Sequence, residues 1–273
     1  MPVEARWMGT AHIELHFDGR IVLIDPYITR PSKRSIFIRR LEPDPGAVQS
    51  YLDGLEGDVR AVLAGHTHFD HALDIPEVAR RTDAMLIGSN SLDTLLGISG
   101  QPGRVTVCRA RERLVLDDRL ALTLIPSMHG LVLSRLLLME GEIDGARRPP
   151  LRANQYRLGS MFAVKVELGG VTFLHVGSAG FLEEELSGHT CDVLFLCAPG
   201  WKKWPGYPER LIDIVGPSCV VPFHYDDFSL PLVPGADFRT IRSADLEGFT
   251  ARLKKSRAGM ETRLLVPGRK ASF

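Results

Sequence analysis

Three histidines and one aspartate fall within six residues of the chain, directly after a short apolar run that ends at Gly65. These four residues are His66, His68, Asp70 and His71. Imidazole nitrogens and carboxylate oxygens are the ligands that zinc-like ions prefer. Because residues two apart in an extended loop point to the same side, His66 and His68 can share one ion. Asp70 and His71 lie beyond the turn and can face a second ion, so the spacing predicts a metal site rather than a solvated polar loop.

The elements before these histidines must hold them in place. The run 61–64 is short and rich in branched residues, which is typical of a buried strand. In open α/β sheets, ligands bind beyond the carboxyl ends of the strands. Two later apolar runs, 122–126 and 219–223, are followed closely by His129 and His224. We therefore expect these two distant histidines to complete the site.

Composition narrows the classes of function. The chain has 273 residues, 44% hydrophobic content and a formal net charge of zero. This length and composition favour a single domain that spans residues 1–273. The chain lacks the basic excess that is typical of nucleic-acid-binding proteins. No run reaches the roughly 20 apolar residues of a membrane span, and the first residues do not resemble a signal peptide. We expect a cytoplasmic protein with a small-molecule substrate, no nucleic acid and no stable membrane insertion, and we leave a homo-oligomer open.

The remaining pattern predicts strands first, then alternating strands and helices, then strands again. Asp18-Gly19 and Gly169-Gly170 are hairpin turn signals. Helices are predicted over 47–55, 74–81, 89–96, 209–215 and 245–256, with Asp74 as the cap of the second. The four cysteines are few and unevenly spaced, which predicts reduced core thiols rather than a disulfide framework.

Asp25 ends an apolar strand, where a carboxylate without a partner would be costly. Two interpretations stay open. The carboxylate could accept a hydrogen bond from a metal-binding imidazole, or it could be a turn carboxylate held by backbone amides.

The His-x-His-x-Asp-His motif and the later single histidines resemble the metallo-β-lactamase superfamily. Three flanking segments most resemble its ascorbate-6-phosphate lactonase-like and phospholipase-D-like branch. They are Gly9-Thr10-Ala11, Leu23-Ile24-Asp25-Pro26-Tyr27 and Pro222-Phe223-His224-Tyr225. The resemblance covers nearly the whole chain. It implies an α/β fold of the four-layer αββα type, in which two mixed β-sheets are flanked by helices and the metals lie at one edge.

The resemblance also implies ligand roles. His66, His68 and His129 would hold one ion, and Asp70, His71 and His224 would hold the other. The superfamily usually bridges its two metals with an aspartate that follows a glycine, whereas this chain has serine at that place, Ser178. Loss of that negative charge should weaken the second ion. We expect two ions without a carboxylate bridge, with one strong and one labile ion as the alternative.

The expected chemistry is hydrolysis. Zn²⁺ lowers the pKa of bound water to about 7, and Mn²⁺ or Fe²⁺ are alternatives because such ligand sets accept several metals. We expect attack on a small ester, lactone or phosphoester, with Asp70 orienting the nucleophile. Ser178 or Tyr225 could donate to the developing oxyanion, although Tyr225 could equally be plain packing.

Two other functions stay open. A phosphodiesterase or phospholipase acting on lipid-like substrates could use the apolar segment 131–139 and the loop with Trp201 and Trp204. A non-catalytic metal-binding protein with a degenerate second site would explain Ser178 as decay.

Two segments have uncertain roles. The basic stretch 29–50, which includes Arg30, could receive an anionic substrate group, but a solvated loop or an oligomer contact is favoured. The irregular segment 131–160 could be a lid or a pocket wall, or it could form a dimer contact.

Overall fold

The computed structural model describes residues 1–108, 110–131, 139–233 and 236–273. The strands in these ranges are β1 (Glu4–Trp7), β2 (Ile13–Phe17), β3 (Arg20–Ile24), β4 (Arg40–Leu41), β5 (Asp58–Leu63), β6 (Met85–Gly88), β7 (Val105–Val107), β8 (Arg113–Asp117), β9 (Leu120–Pro126), β10 (Leu151–Arg152), β11 (Phe162–Leu168), β12 (Val171–Val176), β13 (Val193–Cys197), β14 (Cys219–Phe223), β15 (Glu261–Thr262) and β16 (Lys270–Ser272). The helices are α1 (Lys33–Ile38), α2 (Pro45–Asp53), α3 (Phe69–Ala72), α4 (Ile75–Arg81), α5 (Asn90–Ile98), α6 (Glu183–Leu186), α7 (Glu209–Val215) and α8 (Leu246–Ser256).

Two seven-stranded sheets contain most of the described strands. Their orders are β16-β1-β2-β3-β5-β6-β7 and β15-β14-β13-β12-β11-β9-β8, and a short ribbon pairs β10 with β4. Each sheet is mixed: β3, β5, β6 and β7 run parallel, as do β12, β13, β14 and β15, whereas the other pairs are antiparallel. With helices outside, this is the αββα sandwich that the resemblance implied, and the predicted fold class is confirmed.

The side chains of β3 show how the layers form, because successive residues of a strand point to opposite faces. Val22 and Ile24 belong to the apolar cluster that includes residues of both sheets. Ile21 and Leu23 belong instead to a second cluster, which α2, α4 and α5 complete on the outer face of the first sheet. Both faces of this strand are therefore covered, which explains its continuous apolar sequence.

The helix predictions agree with the structure to within about two residues, as expected for fraying helix ends. Ser89 caps α5 by accepting a hydrogen bond from the Leu92 amide. Asp74 occupies the N-cap position of α4 as predicted, but its side chain makes no capping bond to the helix. It accepts instead from the backbone N–H groups of Ile28 and Thr29, at 2.7 and 2.8 Å, and so ties the end of β3 to α4.

Two further predictions can be compared with the structure. The hairpin at Gly169-Gly170 joins antiparallel β11 and β12. The cysteines are all buried and free, as predicted, at Cys108, Cys191, Cys197 and Cys219. Within the described residues, no helix is long and apolar enough to cross a bilayer.

Candidate metal centre

The predicted ligands converge from three strands that are far apart in sequence. His66 and His68 follow β5, His129 follows β9, and His224 follows β14, while Asp70 and His71 lie in the short helix α3. Two groups result, one of His66, His68 and His129 and one of Asp70, His71 and His224. Within each group the available ligand atoms lie within 4.8 Å of one another. The structure therefore brings together all six residues that the sequence analysis named, in the two sets that the resemblance implied.

The first group is compact. Its ring centroids are separated by 4.7 Å between His66 and His68, 5.1 Å between His66 and His129, and 5.0 Å between His68 and His129. His66 Nε2 lies 3.1 Å from His68 Nδ1. Two nitrogens bound to one tetrahedral ion, each at about 2 Å, lie about 3.3 Å apart. The spacing of these atoms therefore fits a shared zinc-type ion.

His129 has a defined tautomer. Its Nδ1 lies 2.8 Å from the carbonyl oxygen of Gly130, so Nδ1 carries the proton and donates. Nε2 then keeps its lone pair, which is the form an imidazole needs in order to bind a metal.

The second group is organised around Asp70. One of its carboxylate oxygens, Oδ2, lies 3.5 Å from His224 Nε2 and 3.8 Å from His71 Nε2. The two groups also adjoin one another, because the rings of His66 and His71 have centroids only 3.7 Å apart. The donor set is therefore consistent with two neighbouring cation sites, one formed by three imidazole rings and one that includes a carboxylate.

Asp25 supports the second group from behind. Its Oδ2 lies 2.8 Å from His71 Nδ1, and its Oδ1 accepts a 2.7 Å hydrogen bond from the Gly65 amide. The two interpretations of Asp25 therefore both apply, one to each oxygen. Because Nδ1 of His71 donates to this carboxylate, Nε2 is left to face Asp70 and a metal.

Electrostatics favour neutral rings in the first group. Burial, together with the neighbouring imidazoles, lowers the pKa of His66 well below its ordinary value. Burial and the adjacent His68 lower the pKa of His129 to about 3. Such rings stay unprotonated at neutral pH and can bind a cation without first losing a proton.

In the second group, interactions between charges outweigh the effect of burial on the pKa values of Asp70 and His71. Burial opposes ionisation of Asp70, but His71 and His224 outweigh it and hold the pKa of this carboxyl well below its usual range. Burial likewise opposes protonation of His71, and the carboxylates of Asp25 and Asp70 outweigh it and raise its pKa. An anionic Asp70 beside histidine rings is suited to a divalent cation.

Gly65 and Gly177 allow two close approaches beside Asp25. A Cβ atom at Gly65 would lie 3.2 Å from Asp25 Oδ2 and 3.3 Å from the Phe162 carbonyl oxygen. A Cβ at Gly177 would lie 3.2 Å from the His175 ring and 3.3 Å from Asp25 Oδ2. A Cβ atom at either place would press on the Asp25 carboxylate that orients His71, which would have to shift by a few tenths of an ångström.

Ser178 and Tyr225 were the candidate oxyanion donors, and the structure separates them. Ser178 lines the cavity over the metal ligands, and its Oγ accepts a 3.0 Å hydrogen bond from the Gly130 amide. Its own O–H remains free to donate in another direction. Tyr225 is 2% exposed and packs with its ring centroid 4.6 Å from that of Trp7. Tyr225 is therefore core packing and is not placed to act as an oxyanion donor.

Sequence reasoning missed the role of Arg30. Its guanidinium forms a buried ion pair with Asp226, whose other oxygen accepts from the Thr10 amide at 2.6 Å. A Cβ at Gly9 would collide with this guanidinium. Arg30 thus holds the segment that follows His224 and does not receive substrate. Gly9 and Thr10 belong to one of the segments that resemble the superfamily, and that likeness was a sequence signal that could have pointed to the contact with Asp226.

A cavity of about 510 Å³ opens over both groups, a size typical of small-molecule sites. It contains ligand residues from both groups, together with Ser178. Most of the other lining side chains are apolar, and they come from α1, from α3, from the region around Met139 and from the loop after β14. They include Ile36, Phe37, Phe69, Met139, Phe228 and Ile241.

The structure assigns a place to parts of segment 131–160 and to Trp201, whose roles the sequence left open. Part of 139–160 forms the cavity wall, since Met139, Ala153 and Asn154 line it. The apolar segment named for lipid binding falls mainly on 132–138, outside the described residues. Trp201 is buried against Phe249 and donates to the Ala244 carbonyl, so it does not present an apolar face to substrate.

Comparisons with known proteins support the same class of chemistry. No protein-family profile matches the chain. A "UPF0173 metal-dependent hydrolase" of Anaeromyxobacter dehalogenans (strain 2CP-1) is 27% identical over 281 residues, which cover 99% of this chain and 86% of that protein.

Solved structures agree in fold. Igni18, a metallo hydrolase of the archaeon Ignicoccus hospitalis, has a TM-score of 0.65 at 20% identity, covering all of this chain and 99% of the other. Zn²⁺-bound PqqB of Methylobacterium extorquens has a TM-score of 0.54 at 14% identity, covering 96% and 87%. The similarity to a metal-dependent hydrolase along almost the whole chain confirms the predicted class of enzyme, and the solved structures confirm the predicted fold. The narrower lactonase-like branch stays a prediction.

Proposed function

We propose that the chain hydrolyses a small ester, lactone or phosphoester with water activated by one or two Zn²⁺ ions. The observation that carries this proposal is the floor of the 510 Å³ cavity, where two adjacent groups of ligand side chains face the space that a small molecule would fill. Manganese or iron could occupy the same donors. The Zn²⁺-bound neighbour of similar fold supports zinc.

The ions would supply two things: a water molecule whose pKa is lowered to about 7, and positive charge for the oxyanion of the transition state. His66, His68 and His129 would hold one ion, and Asp70, His71 and His224 would hold the other. Asp70 Oδ2 already lies between two rings of its group. Its second oxygen can accept a hydrogen bond from the attacking water and orient it.

Other residues of the chain position these groups. Asp25 fixes the tautomer of His71, and the Gly130 carbonyl fixes that of His129. Ser178 anchors the loop that carries His129 through the Gly130 amide and keeps a proton that it can donate to the substrate oxygen. Most of the remaining lining is apolar, and apolar surroundings strengthen polar interactions within the cavity.

The lipid alternative is weakened, because Trp201 is buried, Trp204 packs against the core, and neither tryptophan lines the cavity. The non-catalytic alternative requires a degraded site, yet every ligand residue except the usual bridging aspartate is present and in place. A small-molecule substrate fits the enclosed volume better than a macromolecule does.

A substrate panel tests the proposal. Purified protein supplied with zinc or manganese is assayed on lactones, 4-nitrophenyl esters and bis-4-nitrophenyl phosphate. We expect metal-dependent turnover in at least one class, lost on chelation and restored by metal. If none of the three classes is hydrolysed by metal-loaded protein, the proposed substrate class is wrong.

A further inference from the structure

One cationic side chain in the cavity has no assigned role. Arg152, at the end of β10, lines the same cavity as the candidate metal ligands. Apart from the histidines, it is the one cationic side chain among the described lining residues, and Asp70 is the one acidic side chain among them. Asp70 belongs to a ligand group, so the charge of Arg152 is not matched by a neighbouring acid in the cavity.

The backbone holds Arg152 in place. β10 pairs with β4 in the two-stranded ribbon, where Arg152 lies opposite Arg40. The Arg152 amide donates to Gln155 Oε1 at 2.7 Å, and its guanidinium Nη1 donates to the Ile38 carbonyl oxygen at 3.2 Å. One donor of the planar guanidinium thus fixes its position next to α1, while the other donors remain available for a ligand.

Two cations of the segment before β4 have carboxylate partners. Arg30 is paired with Asp226, and Lys33 with Asp227 at 3.1 Å. Arg40 of β4 has no carboxylate partner among the described residues, but it lies outside the cavity lining. Within the described part of the chain, Arg152 forms no ion pair with a carboxylate. Arg152 is exposed to solvent where it lines this largely apolar cavity. A guanidinium presented there can bind a carboxylate or a phosphate through two parallel hydrogen bonds.

The rest of the cavity indicates the body of the ligand. Phe37 and Ile36 of α1 stand beside the Arg152 segment, and Phe37 is 82% exposed although it lines the cavity. An exposed aromatic ring at the mouth of a cavity provides contact area for an apolar group. Asn154, two residues after Arg152, adds an amide that can donate or accept in the same wall.

We propose that Arg152 binds an oxyanion of the substrate, a carboxylate or a phosphate, which is attached to an apolar body and distant from the bond that is cleaved. This inference rests on the proposed function, because it assumes that the cavity is the substrate site. It names the class of substrate more narrowly: an anionic, partly apolar ester or lactone.

The kinetic test uses two esters of equal acyl-chain length, mono-4-nitrophenyl adipate and 4-nitrophenyl hexanoate. Wild-type protein should prefer the anionic adipate by about tenfold or more in kcat/KM. Arg152→Gln should remove this preference because it lowers kcat/KM for adipate more than for hexanoate, and Arg152→Lys should restore part of it. The matched control is Arg40→Gln, which removes a charge from the paired strand outside the cavity lining and should keep the preference.

Binding gives a readout that does not depend on turnover. Titration calorimetry on zinc-loaded protein compares phenylbutyrate and phenylbutyl phosphate with neutral phenylbutyramide. We expect at least one anion to bind about tenfold more tightly than the amide, with this difference lost in Arg152→Gln. The tighter anion identifies the oxyanion.

The outcomes separate the two proposals. If neither ester is cleaved but the anion still binds through Arg152, ester cleavage is wrong and the inference stands. If hexanoate is cleaved and Arg152→Gln discriminates between anion and amide as wild type does, the anion is held by the metals or by another group, and the inference is overturned. Equal binding of anion and amide by wild-type protein also overturns it.

Discussion

His71 and Asp25 are joined by a 2.8 Å contact between the Nδ1 atom of the ring and the Oδ2 atom of the carboxylate, and both side chains are almost fully buried. The second oxygen of the same carboxylate binds the Gly65 amide. Asp25 therefore links the end of β3, the turn after β5 and helix α3. One residue outside the ligand groups sets both the orientation and the tautomer of a ligand within them.

Asp25→Asn should weaken the ion held by His71 about 10–100-fold, because the amide cannot supply the negative charge that orients the ring. Competitive titration with a zinc chelator measures this dissociation constant. Asp118→Asn, which changes an exposed turn carboxylate, is the control and should bind zinc as wild type does. Equal affinities in wild type and Asp25→Asn would show that the contact does not tune the site.

Ser178→Asp should raise the occupancy of the second ion, since it restores a carboxylate where the superfamily usually has its bridge. The added negative charge lies beside two expected dications, so the attraction is large in a buried site. Metal content after dialysis against metal-free buffer gives the measurement. Ser178→Asn matches the size without the charge and should not raise the second occupancy; a rise in both variants would make charge the wrong explanation.

His68→Ala should reduce turnover to about 1% or less of wild type, because it removes a ligand from the first group. The fold should persist, since the ring lies at the cavity and its loss leaves both apolar clusters intact. Circular dichroism and thermal unfolding check that point. His189→Ala, in a half-buried histidine away from both ligand groups, should keep wild-type activity, and retained activity in His68→Ala would place the chemistry elsewhere.

Asp74→Asn should change how stability depends on pH. Burial raises the pKa of Asp74 from its ordinary value to about 7. A raised carboxyl pKa means that the folded protein binds the proton more tightly than the unfolded chain does. Wild type therefore loses stability as the pH rises from about 4 to about 7, and the loss is on the order of 4 kcal/mol.

The Asp74→Asn variant lacks this titrating carboxyl group, so its stability relative to wild type should rise with pH. Urea unfolding of both proteins at about pH 5 and about pH 8 measures the difference. Asp53→Asn, at an exposed position on α2, should show no such trend. A difference between wild type and Asp74→Asn that is constant with pH would contradict the raised pKa.

The sequence was most informative where a strand ends in a chemically distinctive residue. The runs before His66, His129 and His224 identified the strands, and the rule that ligands gather at strand ends brought the distant histidines together. The helix positions followed from apolar spacing and from caps such as Ser89. These are local signals, which a single sequence carries well.

The rest depended on contacts between distant segments. Asp74 matches a helix cap locally, but its carboxylate is occupied by the Ile28 and Thr29 amides, which only the fold brings near. Arg30 stands in a basic stretch that resembles a solvated loop, and its partner Asp226 is far away in sequence. Tyr225 is adjacent to a ligand, yet the backbone bends at His224, where φ is 66°, and the Tyr225 ring packs against Trp7. No local pattern specifies these pairings.

The metal content of the protein tests the central claim most directly. Protein purified without chelators, in buffers supplemented with zinc, is analysed by inductively coupled plasma mass spectrometry together with an exact protein concentration. The two adjacent ligand groups predict about two ions per chain, of which the first is held more tightly than the second. Less than one ion per chain under these conditions would contradict the account, because neither group would then be the metal centre that the proposed hydrolysis requires.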